Sequence, residues 1–66
     1  MERMAIAECE RVAPGLGSAI LRLVQAGWGR KRIVNVMLAS FTFTGVKELV
    51  EKALDECGLA EPHSQP

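Results

Sequence analysis

Three consecutive cations, Arg30, Lys31 and Arg32, carry the most pointed chemistry in this chain of 66 residues. They follow Gly27-Trp28-Gly29, where one helical pattern ends and the next begins, so they crowd the first turn of a helix. Cations there oppose the positive end of the helix dipole. A helix start also offers unsatisfied backbone N–H groups, and with three cations beside them those groups would make a phosphate site. The competing reading is a solvated basic turn paired with the acidic residues near the carboxy terminus.

Other reactive residue types are scattered. The single histidine, His63, stands near the end of the chain between Pro62 and Ser64, away from any plausible base or nucleophile partner. Cys9 and Cys57 lack metal-ligand spacing. They could form one bridge, but apolar positions on two helices make core packing as free thiols the plainer expectation. Gly15-x-Gly17 has neither the preceding strand nor the third glycine of a dinucleotide loop. The expectation is a non-enzyme without metal or cofactor.

The elements that must position these residues follow from hydrophobic spacing. Helices are predicted near 2–12, 16–26, 30–39 and 45–57, an all-α bundle of three to four short helices. In the first, Ala5, Cys9 and Val12 share a face. Pro14, Gly15 and Gly17 break the pattern before the second, which groups Leu16, Ala19, Ile20, Leu23 and Val24. The third is apolar over more than half its circumference, through Ile33, Val34, Val36, Met37 and Leu38. Phe and Thr then alternate over residues 40–45, favouring extended backbone before Thr44 or Gly45 caps the last helix. That helix lines up Val46, Leu49, Val50, Ala53, Leu54 and Cys57, and Gly58-Leu59 reads as its stop. The core is expected to hold Leu16, Ile20, Leu23, Val24, Ile33, Met37, Leu49, Val50 and Leu54.

Length permits one domain, placed at 1–59 with a flexible tail at 60–66, and at this size a single core is marginal. At 48% hydrophobic residues the chain is too apolar for intrinsic disorder. The uncharged run from Ile33 to Val46 falls short of the roughly 20 residues that span a bilayer. With no secretory signal in view, a soluble, cytoplasmic protein is expected. The over-apolar third helix suggests a homodimer through part of Val34, Leu38, Phe41 or Phe43. Net charge is zero, yet from Arg11 to Lys47 every charge is positive. Residues 48–66 set Lys52 against Glu48, Glu51, Asp55, Glu56 and Glu61. Such blocks steer charged partners or pair with one another.

Two resemblances share this architecture and differ in ligand. Ile20-Leu21-Arg22-Leu23-Val24-Gln25-Ala26-Gly27, the basic turn, Ile33, Met37, Ser40 and Val46 resemble the tri-helical helix-turn-helix of response-regulator and resolvase DNA-binding domains. That resemblance implies phosphate contacts by Arg30, Lys31 and Arg32 and a reading helix whose Thr42, Thr44, Lys47, Glu48 and Glu51 face bases. Ala26-Gly27-Trp28, with Val46, Leu49, Val50 and Leu54, is also similar to the ubiquitin-associated three-helix bundle, where Met-Gly-Phe holds the first loop. There the first loop and the end of the last helix form an apolar patch for a partner protein. The leading expectation is a small DNA-binding transcriptional regulator. The alternative is a protein-interaction module, ubiquitin-associated-like or an inhibitor or adaptor, with Trp28, Val34, Leu38, Phe41 and Phe43 at the contact.

Overall fold

The computed structural model describes residues 4–59, and within them the chain forms four helices and no strand. These are α1 (Met4–Val12), α2 (Leu16–Gln25), α3 (Arg30–Ser40) and α4 (Val46–Glu56). The expected all-α bundle is therefore present, with the end of α1 and both boundaries of α2, α3 and α4 within two residues of the periodicity reading. The predicted start of the first helix at residue 2, the tail at 60–66 and His63 lie outside the described residues.

Helix α1 packs on α2 and α4, and α3 packs on the same two helices from elsewhere, so α1 and α3 do not touch. The core between them buries Ala5, Ile6, Cys9, Leu16, Ile20, Ile33, Val34, Met37, Val46, Val50, Ala53 and Leu54. Of the nine expected core residues, Leu23, Val24 and Leu49 are only half-buried, at the rim of the apolar stripe. The inward face of α1 differs from the expected one. Ile6 is buried with Ala5 and Cys9, whereas Val12 is 45% exposed. Contact with two helices at once rotates α1 toward Ile6, and its last turn runs beyond the core.

Local stops end α2 and α4 where glycine predicts them. At the end of α2, Gly27 adopts φ +89°, its N–H bonds the Val24 carbonyl at 3.0 Å, and the Trp28 N–H bonds the Leu23 carbonyl at 3.1 Å. This double closure is the Schellman motif, which needs a left-handed residue that glycine adopts without strain. The same pair of bonds ends α4, from Gly58 to Asp55 and from Leu59 to Leu54.

Helix starts are satisfied from a distance. Gly15 and Gly45, the residues before α2 and α4, have no side chain with which to cap them. For α2 the cap comes from α1. The Glu10 carboxylate accepts the Gly15 N–H at 2.8 Å, the Ser18 N–H at 3.0 Å and the Ser18 hydroxyl at 3.4 Å. At the start of α1, the Ala5 N–H donates to the Glu56 carboxylate at 2.8 Å, so an acid from α4 meets the positive end of that dipole. Sequence spacing marks both glutamates only as solvated exterior.

The Glu10 cap has a pH signature. The Gly15 N–H, then the Ser18 N–H, hold its carboxyl below the ordinary glutamate value. A depressed carboxyl contributes stability that is present above its unfolded-state pKa and lost as pH falls through the folded one. Urea midpoints at about pH 7 and about pH 3 should therefore fall further for wild type than for Glu10→Gln, which should start lower at neutral pH. An equal acid loss in the two proteins would take Glu10 out of the account.

Candidate interaction surface

The Schellman closure of α2 sets Trp28 at the mouth of the loop between α2 and α3, half-buried against the core. Two residues later Arg30 turns inward. Its side chain is only 9% exposed; its guanidinium pairs with the Asp55 carboxylate and donates to the Leu59 carbonyl at 2.6 Å. Asp55 lies in the last turn of α4, and Leu59 in the Schellman stop that follows it. One arginine thus ties the Trp28 loop to the last turn of the last helix; of the three cations Arg30 alone pairs with the acidic helix among the described residues. Arg30 is consequently a structural tie with little surface left for a phosphate.

Arg32 faces outward, with its guanidinium carbon 4.0 Å from the centroid of the Trp28 ring. A guanidinium over an indole is held by the ring quadrupole, worth about 0.5–1 kcal/mol at an exposed site. Lys31 beside it is exposed and makes no ion pair among the described residues. Trp28 and Arg32 therefore sit together at the loop that Arg30 ties to the end of α4, with Lys31 exposed on the same first turn of α3.

The remaining expected contact residues do not join it. Thr42, Thr44 and Lys47 are exposed, but they follow α3, whose 11 residues carry the chain about 16 Å from the basic turn. Val34 is 8% exposed and already spent on the core, leaving it little to offer a partner. Leu38, Phe41 and Phe43 are half-buried. Phe43 lines a shallow depression of about 360 Å³ with Val12 and Leu49, edged by Glu8, Glu48 and Lys52.

No known protein family matches this chain, nor does any curated protein or solved structure. What it binds has to be argued from its own surface. Among the described residues no three metal-ligating side chains gather, and no helix is long and apolar enough to cross a membrane. Both cysteines are free thiols. Cys9 is buried, its Sγ placed 3.9 Å from the Leu49 carbonyl. Burial first, then the nearby charges of Glu8 and Glu56, push its thiol from 9.0 up to about 11. A thiol so held is a poor nucleophile.

Asp55 and Leu59 are the members of this surface that sequence reasoning left out. Asp55 sits on the outer face of α4 and reads there as a solvated acid. The only sequence signal for its role is the opposition of charge blocks, which names no partner.

Proposed function

We propose that this chain is a non-enzymatic protein-interaction module that takes a partner on the surface formed by Trp28 and the end of α4. The observation that carries this reading is the Arg30 tie to Asp55 and Leu59. It brings the first loop against the end of the last helix, the juxtaposition from which a ubiquitin-associated-like bundle builds its patch. Tryptophan supplies the kind of large, rigid, amphipathic area that dominates binding energy at interfaces. Arg32 on its face adds a charged group already held in place.

The same tie weakens the DNA reading, because Arg30 has spent its charge within the fold and α4 shows Glu48, Asp55 and Glu56 to solvent. Phosphate attraction supplies most non-specific DNA affinity, so an acidic reading helix works against it. The exposure of Lys31, Arg32, Thr42, Thr44 and Lys47 keeps DNA as the second reading. Immobilised wild type should retain a partner from cell extract that Trp28→Ala loses while keeping its helical circular dichroism. Capture indifferent to Trp28 would place the contact elsewhere. Salt-dependent retention of random duplex DNA, lost on replacing Lys31 and Arg32 by Ala, would select the second reading.

Self-association belongs to the opposite end of α3. Val12, at 45% exposure, and half-buried Phe43 and Leu49 line the depression there. Leu38, Phe41 and Phe43, rather than Val34, are the residues α3 and its turn leave for a second copy. Sedimentation should give a dimer at micromolar concentration that Phe43→Ser reduces to monomer. A wild-type monomer well above that range would remove the proposal.

A further inference from the structure

We infer that the partner segment recognised at Trp28 is an acidic peptide: an apolar side chain set against the exposed edge of Trp28, with one or two carboxylates for Arg32 and Lys31. The inference rests on the protein-interaction reading and adds the chemistry of the partner. Its basis is the charge left over once the fold has made its own pairs. Among the described residues the ion pairs are Arg11 with Glu8 and Arg30 with Asp55. Arg32 stands exposed on the Trp28 ring, and Lys31, its neighbour on the first turn of α3, is also exposed; among the described residues neither has an acid paired with it. Among the described residues, the acid that the tertiary fold brings to this loop, Asp55, is taken by Arg30.

The two cations are suited to carboxylates in different ways. Arg32 is steadied by the ring beneath it, and its in-plane N–H donors form the fork that matches a carboxylate. Lys31, one residue earlier on the first turn of α3, is a mobile point charge that follows a second acid. Apolar area at this loop comes from half-buried Trp28, whose N–H bonds the Leu23 carbonyl, and from half-buried Leu59, whose carbonyl accepts from Arg30. A nucleic acid fits this surface less well. Its phosphates repeat along a strand and call for a basic track, whereas here the loop that carries the two cations is tied through Arg30 to Asp55, 62% exposed, at the end of an acidic helix. The complement of a short positive edge beside an apolar ring is a short acidic segment.

Selection from a random dodecapeptide display library tests this, with the folded chain immobilised and Trp28→Ala used for counter-selection. Wild-type-specific peptides should be rich in Asp and Glu next to an apolar residue. They should also shift the emission of Trp28, the chain's single tryptophan. The selected acidic peptide should bind roughly tenfold or more weakly to the doubly reversed chain, Lys31→Glu with Arg32→Glu. Because Lys31 is exposed, Lys31→Glu alone should show part of that loss without a change in fold. Wild-type-specific peptides that are neutral or basic would overturn the acidic partner and leave Trp28 capture standing. A failure to enrich any Trp28-dependent peptide would overturn both. Random-sequence duplex DNA that competes with the selected peptide for Lys31 and Arg32 would overturn the acidic peptide in favour of nucleic acid.

Discussion

Gly17→Ala should destabilise this protein by about 1–3 kcal/mol, the usual penalty for forcing extra volume into a packed contact. A Cβ at position 17 would lie 2.6 Å from the Ile6 carbonyl oxygen, 3.1 Å from Glu10 Oε1 and 3.2 Å from Glu10 Cβ. The first of these is backbone and cannot rotate away, so α1 must move off α2. That movement also disturbs the Glu10 cap and the burial of Ala5, Ile6 and Cys9. Helix propensity acts in the opposite direction, since alanine is favoured over glycine in a helix by about 1 kcal/mol. The sign of the measured change therefore decides whether the close crossing is real. A domain of this length holds roughly 3–10 kcal/mol in total, so the loss would show plainly in a urea midpoint. Gly29→Ser is the control. Nothing lies within 4 Å of a Cβ there, its φ of −75° suits any residue, and serine can cap α3. It should leave stability unchanged or raise it, and a variant at position 17 that behaves like this control would refute the packing argument.

Leu54→Ala should cost still more, about 2–5 kcal/mol, enough to leave much of the population unfolded. Leu54 has no exposed surface, and α4, which carries it, packs against all three other helices. Removing its side chain subtracts buried apolar area and leaves a cavity that surrounding helices can close only by shifting. Leu49→Ala is the informative comparison. Hydrophobic spacing ranks the two leucines equally, but Leu49 is half-buried at the edge of the depression beside Phe43. It should cost clearly less. Equal losses in paired denaturant titrations would mean that the burial difference is energetically empty.

The helix count and its punctuation were legible in the residues themselves. Proline and glycine at 14–15, Gly27, Gly45 and Gly58 act through backbone conformation and bonds spanning a few residues, which depend on little beyond the local chain. The apolar stripes on α2 and α4 were legible for the same reason, since 3.6-residue spacing is a property of one helix. Spacing shows that a stripe exists, but its width and rotation depend on how many neighbours cover it. Only packing could place Ile6 inside and Val12 outside, or commit Val34 to the core and leave Leu49 at its edge.

The candidate site divides in the same way. Trp28 after a glycine stop and the cations of the next helix were visible as types in a row. That Arg30 faces inward to a carboxylate 25 residues away, while Arg32 turns out onto the indole, was not. Side chains one and two residues apart on a helix point in different directions, so three adjacent cations read alike in sequence have unlike surroundings once helices pack. Gly17 and Glu10 follow the same rule. A missing Cβ and an exposed carboxylate have meaning only where a second helix crosses at close range. Local chemistry determined the helices and their ends, and the crossing of those helices decided which charges remain for a partner.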